Sequence, residues 1–231
     1  MTKFHTNQVM LALATRNPDK VREIRLKLDS LSPLLSIHSL ADLEAQGFKL
    51  PEVEETEPSL EGNALKKAKE IFHALKAQGV SNILALSDDT GLEVEALGGE
   101  PGVHSAHYAA AELGRQPTYS ENVAKLLRKM QNIRQRQAVF RTVMALVGQF
   151  HLANHHYSPY FEHIFEGKIH GTVTTAPRGE NGFGYDPVFE VPSLAKTFAE
   201  LSVDEKNQIS HRALALEHVR QHLQQLFSKA H

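Results

Sequence analysis

"VMLALATRNPDKVREIRLKL", residues Val9–Leu28, changes its apolar period midway, and that change decides the fold class. Val9 to Ala14 is an unbroken apolar run of strand length that stops at Thr15-Arg16-Asn17-Pro18. Asn17 suits a helix N-cap, and Pro18 suits the first helical position, where a missing N–H has no partner to lose. Beyond them Val21, Ile24, Leu28 and Leu31 recur at helical spacing, predicting about three to four turns. A buried strand feeding a helix through a tight turn is the building unit of an α/β protein. It also leaves free backbone N–H groups at the helix start, where an anion can bind.

The same alternation continues along the chain. A second helix is predicted over 59–77, with Ala64, Ala68, Ile71 and Leu75 on one stripe and Gly79 as its stop. It leads into a strand from Asn82 to Leu86. Residues 36–58 read as an irregular stretch carrying Glu52, Glu54, Glu55 and Glu57 between two prolines, and Gly98 to Pro117 reads as a loop. Ser120 is placed to cap a helix whose Val123, Leu126, Leu127, Met130 and Ile133 face a core. Val139–Phe150 and Phe161–Val173 are rich in β-branched and aromatic residues and read as two long strands. Ser202 and Glu205 fit a capping box, and a last helix from Ser210 buries Leu216, Val219, Leu223 and Phe227. No repeat or flexible linker interrupts the pattern, which predicts one compact α/β domain over residues 1–231.

Composition narrows the function. The 231 residues are 41% hydrophobic and 23% charged, the balance of an ordinary globular protein. A net charge of −2 offers no bulk attraction to nucleic acid or to an anionic membrane. The absence of cysteine excludes disulfides, thiolate metal sites and a cysteine nucleophile. The apolar run Val9–Ala14 is too short for a signal segment or a membrane span, so the expected location is the cytoplasm. The densest histidine group, "HLANHHYSPYFEH" with His151, His155, His156 and His163, lacks zinc-site spacing and reads as a surface loop.

Four polar groups interrupt the scaffold at turn positions. In "TRNPDK", Thr15 to Lys20, the Lys20 ammonium can reach back over the helix start, and with Thr15 and Asn17 it could surround a phosphate. A capped helix with a solvated lysine is the other reading. Asp88-Asp89-Thr90-Gly91 places adjacent carboxylates at a buried strand end, an arrangement usually explained by a divalent cation. Oxygen-only ligands favour Mg²⁺ and phosphate-bearing substrates, against the alternative of a turn or capping pair. Strand alternation allows only one of the two to face a cleft squarely. "GENGFGYDP", Gly179 to Pro187, has three glycines in six residues, and Phe183 or Tyr185 could stack on a base; a plain hairpin turn is the alternative. In "DEKNQISHRALAL", Lys206, His211 and Arg212 cluster about a helix N-terminus, where cations oppose the macrodipole and an anionic or carbonyl-rich ligand would explain them; a plain surface placement is the alternative.

In this order, the four blocks resemble the inosine/xanthosine triphosphate pyrophosphatase family. "LATRNPDKVREI" is similar to its opening motif, "SDDTGLEVEALGGEPGVHSAHYA" to its central signature, and "GFGYDPVF" and "EKNQISHRALAL" to its two late motifs. The resemblance covers about residues 10–220. It implies Mg²⁺-dependent hydrolysis of non-standard purine nucleoside triphosphates (ITP, dITP and XTP) to the monophosphate and pyrophosphate. It also implies a homodimer and an elongated α/β fold, with a long mixed sheet flanked by helices and two lobes around a central cleft. By motif match, Thr15, Arg16, Asn17, Pro18, Asp19 and Lys20 hold the phosphates, Asp89 is the catalytic base and Thr90 contacts substrate. Phe183, Gly184, Tyr185, Asp186, Lys206, His211 and Arg212 hold base and sugar. Glu54 or Glu55 joins Asp89 at the metal, and Lys67 is aimed at the phosphates. Three positions depart from the family pattern: Thr90 for serine, Gly62 for a glutamate, and His107 for arginine. The rival readings are an Mg²⁺-dependent phosphatase with an aspartyl nucleophile and a nucleotide sensor that binds without turnover.

Overall fold

The computed structural model describes residues 8–150 and 158–228. Among the described residues seven strands form one open mixed sheet in the order β2-β1-β3-β4-β5-β6-β7. They are β1 (Val9–Leu13), β2 (Leu35–Ser39), β3 (Ile83–Val94), β4 (Gln137–Gln149), β5 (Phe161–Val173), β6 (Phe189–Val191) and β7 (Lys196–Thr197). β1 runs parallel to both neighbours, in register Val9↔Leu35 with β2 and Met10↔Ile83 with β3. The last three strands pair antiparallel. The helices are α1 (Pro18–Leu28), α2 (Leu40–Ala45), α3 (Leu60–Ala77), α4 (Ala110–Leu113), α5 (Tyr119–Lys129), α6 (Val203–Ile209) and α7 (His211–Ser228).

The chain divides into two compact units. Unit 1 comprises Met1–Asp89, Val143–Glu166 and Ala215–His231; unit 2 comprises Thr90–Thr142 and Gly167–Leu214. Unit 1 is built on Leu11 and Leu13 of β1, Leu84 and Leu86 of β3, and Met144 and Leu146 of β4. Against these pack Ile24 and Leu28 of α1 and Leu216, Val219, Leu223 and Phe227 of α7, the four residues whose spacing marked the last helix. Each such fully buried side chain contributes about 1.5–3 kcal/mol. Unit 2 has its own core, in which Leu92, Leu126, Phe140, Val188, Phe189 and Phe198 are buried together.

Several boundaries differ from the sequence reading. Residues 36–58 are not irregular throughout: β2 and α2 occupy their first part. β2 mixes Ser36 and His38 with its apolar residues and fully buries only its ends, Leu35 and Ser39, and a six-residue helix is too short to show a period. The N-cap of α5 is Thr118, not Ser120: its side chain accepts from Glu121 N and the Glu121 carboxylate returns to the Thr118 backbone. The expected loop before it contains short 3₁₀ turns and α4. The largest correction concerns β3, which does not stop at Leu86 but runs on to Val94. Asp88 and Asp89 therefore lie inside a strand, at adjacent positions that face opposite ways.

Candidate active site

Unit 1 gathers the acidic and basic residues of the first two motifs. As the sequence predicts, Asn17 caps α1, its side-chain carbonyl accepting from Asp19 N at 2.9 Å and Lys20 N at 3.3 Å. Pro18 opens the helix, and Thr15 Oγ1 accepts from Asn17 N. The six residues then diverge. Lys20 Nζ lies 3.1 Å from Asp88 Oδ2. Arg16 forks onto the Glu44 carboxylate of α2 at 2.8 and 3.0 Å, and Asp19 takes Arg22 one turn on.

On β3 both aspartates are buried, Asp88 at 0% and Asp89 at 5% exposure. Each has its own lysine, Lys20 for Asp88 and Lys67 for Asp89. Lys67 Nζ donates to Asp89 Oδ1 at 3.1 Å, to the Asp88 main-chain carbonyl at 2.8 Å and to Glu55 Oε1 at 2.6 Å. Of the two glutamates left open by the sequence, it is Glu55 that joins Asp89 around this ammonium. Glu54 gives its main-chain carbonyl to Lys66 instead.

The acidic segment is fastened to α3. Lys66 Nζ donates to Glu54 O and Thr56 Oγ1, both at 2.9 Å, and Asn63 Oδ1 accepts from Glu57 N. Gly62 lies under this segment, where a Cβ would meet Glu57 Cβ at 2.7 Å. The departure from glutamate at position 62 thus accompanies close packing of the segment on the helix.

The electrostatics follow from burial. Asp89 titrates above the ordinary aspartate range because burial disfavours its charge; Lys67 opposes that shift and Glu55 adds to it. Burial works to lower the Lys67 ammonium, but Asp89, Glu55 and Asp88 outweigh it, and its pKa stands above the usual lysine value. Asp89 Oδ2 is buried and has no hydrogen-bond partner. An unsatisfied carboxylate oxygen in a buried setting is costly and marks a place built for a further donor or a cation.

Unit 2 gathers the late motifs. Asp186 Oδ2 accepts from Phe183 N at 2.8 Å and from Lys206 Nζ at 2.6 Å. The turn demands glycine at 182: φ is +74°, and a Cβ would meet Asp186 Oδ2 at 2.0 Å. Lys206 Nζ sits 4.9 Å and Arg212 Cζ 5.3 Å from the centroid of the Phe183 ring, two cation–π contacts on one aromatic. Arg212 Nη2 also donates to Thr90 Oγ1 at 3.2 Å. His211 is buried and stacks on Phe140 with centroids 4.1 Å apart and rings 6° from parallel. Tyr185 is buried and donates its hydroxyl to Ser105 O, and burial pushes its pKa up. His107, the third departure, shares a hydrogen bond with Gln116 at 2.7 Å.

Residues 11–222 match the family described as Ham1p_like, the Ham1 family. The chain belongs to the Ham1 family. It is 48% identical over 209 residues to a dITP/XTP pyrophosphatase of Chlorobaculum tepidum, covering 90% of each chain. It is 42% identical to a dITP/XTP pyrophosphatase of Porphyromonas gingivalis, covering 92% of this chain and 96% of the relative. Among solved structures it is similar to the Staphylococcus aureus Ham1 protein (TM-score 0.75, 33% identity, covering 93% of this chain and 98% of that one). A HAM1 protein from Coxiella burnetii gives TM-score 0.75 at 36% identity, covering 94% and 100%. The mixed α/β sheet expected from the sequence is thus the Ham1 fold.

Some neighbours of the Ham1 motifs escaped the sequence reading. Thr142 of β4 lies 2.8 Å from Thr90, oxygen to oxygen, and Phe140, two positions earlier, carries His211. Strand alternation puts 140 and 142 on one face, and that signal was present in "VFRTV". Tyr119, at the start of α5, has its ring 5.8 Å from that of Phe183. Of the histidine-rich stretch, residues 151–157 lie outside the described residues, while His163 is part of β5 and meets His222 of α7, centroids 4.4 Å apart.

Proposed function

We propose that this Ham1-family chain hydrolyses ITP, dITP and XTP to the nucleoside monophosphate and pyrophosphate, with Mg²⁺ as cofactor. The names of the relatives support the substrate class. The observation that carries the chemistry is Asp89, a buried carboxylate with an unbonded Oδ2, surrounded by Lys67, Glu55 and the Lys20–Asp88 pair.

The residues fit a divalent cation. The donors are carboxylate oxygens, and one of them lacks a partner. Among the described residues no group of three or more His, Cys, Asp or Glu side chains is placed to hold a metal ion. Mg²⁺ is held by one or two carboxylates together with waters and substrate phosphates. Asp89 and Glu55 would hold it, and when bound it would neutralise charge on the phosphates. Asp89 orients a water and takes its proton as the water oxygen attacks the α-phosphorus in line. The bond from that phosphorus to the bridging oxygen breaks, and pyrophosphate leaves. Lys20 and the N–H groups at the start of α1 stabilise the equatorial oxygens.

Lys206, His211 and Arg212 supply hydrogen-bond donors suited to a purine 6-oxo group, and Phe183 offers an aromatic surface for the base. Adenine presents an amino group at that position and would leave buried donors unpaired. The whole chain is read as one catalytic domain, working as a homodimer in the cytoplasm. Among the described residues no helix is long and apolar enough to cross a membrane.

A panel of nucleoside triphosphates incubated with Mg²⁺ and assayed for both phosphate products tests this reading. Pyrophosphate from ITP, dITP and XTP, with little from ATP, is the expected result. Stepwise orthophosphate would establish a phosphatase instead, and binding without product a sensor.

A further inference from the structure

An ammonium has three N–H donors, and all three of Lys67 are committed: to Glu55 Oε1 at 2.6 Å, Asp88 O at 2.8 Å and Asp89 Oδ1 at 3.1 Å. Placed so, Lys67 cannot donate to a phosphate without giving up one of these bonds. Its charge also lies between the two carboxylates, Glu55 and Asp89, that would hold the metal. Without a cation there, the Glu55 carboxylate would stand beside the buried carboxylate of Asp89 with nothing to offset their repulsion.

We infer that Lys67 is a resident stand-in for the divalent cation: it holds Glu55 and Asp89 in place, competes with the metal for them, and moves to the phosphates when metal and triphosphate arrive together. This rests on the reading of the site as a metal-assisted pyrophosphatase. The charge balance favours a joint exchange. Metal alone must enter beside a bonded ammonium, and a polyphosphate alone must approach Asp88, Asp89 and Glu55. Arriving together, each ligand takes over the partner that the other releases.

The surrounding structure keeps the carboxylates in position while the lysine moves. Lys66 ties down Glu54 and Thr56 on either side of Glu55, and Asn63 holds Glu57 N. The main chain on either side of Glu55 is therefore held without Lys67, which sets the direction of the Glu55 carboxylate. Lys67 acts here as a positioning residue and a competitor, and the two roles separate by experiment.

Mn²⁺ binding to the full chain, followed by electron paramagnetic resonance with and without inorganic pyrophosphate, reads the competition directly. Lys67→Met and Lys67→Gln both remove the charge. Each variant is expected to bind Mn²⁺ without pyrophosphate at least about tenfold more tightly than the parent, within the usual range of site-to-site coupling. Its unfolding midpoint should rise more with Mn²⁺ than the parent's does. The gain in Mn²⁺ affinity from pyrophosphate should be smaller in both variants. A variant that folds only with Mn²⁺ present supports the inference, because the metal then replaces the lysine. Unchanged or weaker Mn²⁺ affinity in both variants overturns it, as does failure of both to fold at saturating Mn²⁺. In either case pyrophosphate release by the parent chain still upholds the proposed function. Absence of Mn²⁺ binding by the parent, even with pyrophosphate, overturns the inference and the metal assignment together.

Discussion

Lys206 Nζ lies 2.6 Å from Asp186 Oδ2, with the two side chains only 7% and 2% exposed. Removing one partner of a buried ion pair leaves the other charged and unpaired, at a cost of about 3–5 kcal/mol. Asp186→Ala is accordingly expected to lower the unfolding free energy by about that amount, measured by urea titration. Lys206→Met added to it should recover part of the loss, because the lysine charge that lost its carboxylate is then gone. If the double variant is no more stable than Asp186→Ala, the pair is not what holds this turn.

Gly182 is the backbone half of the same turn. Its φ of +74° and the 2.0 Å approach of a Cβ to Asp186 Oδ2 leave no room for alanine. Gly182→Ala should destabilise by more than about 1 kcal/mol and push Asp186 away from Lys206. If this turn binds the base, KM for ITP should then rise more than kcat falls, as expected for loss of binding shared by ground and transition states. A variant with parental KM would detach this turn from base recognition.

Asp89→Asn keeps the shape of the side chain and removes the proposed base. A fall in kcat of roughly 10²–10⁴ is expected, the range for loss of a general base. Steady-state kinetics on ITP check it, with circular dichroism confirming the fold. Near-parental turnover would remove Asp89 from the role of base.

The elevated pKa of Asp89 sets the pH dependence. The proposed base works ionised, so the acid limb of kcat/KM should fall at a pH above the ordinary aspartate value of 3.8. For stability the sign is opposite. The native state holds the Asp89 proton more tightly than the unfolded chain does. Its contribution to stability is therefore fully present below the unfolded pKa and lost as pH rises through the folded one. Asp89→Asn should flatten that part of the profile of melting temperature against pH. An unchanged profile would show that Asp89 titrates normally.

Long periodic elements were legible in the sequence. β1, the Asn17 cap, α3 and α7 follow from apolar spacing and capping chemistry, because their buried faces are long enough to repeat. β6 and β7 have three and two residues and carry no period. β3 was cut short because Ser87, Asp88 and Asp89 are polar, although all three are buried. Burial of polar residues is settled by partners, and those partners are remote in sequence: Lys67 is 22 residues from Asp89 and Arg212 is 122 from Thr90. The motifs therefore named candidate residues for the site. They could not show that Lys20 and Lys67 are engaged by carboxylates.

Single-turnover hydrolysis of ITP in ¹⁸O-labelled water, with both products analysed by mass spectrometry, tests the central claim that water attacks the α-phosphorus. The account predicts one labelled oxygen in inosine monophosphate and unlabelled pyrophosphate. Label in pyrophosphate or in orthophosphate would contradict it.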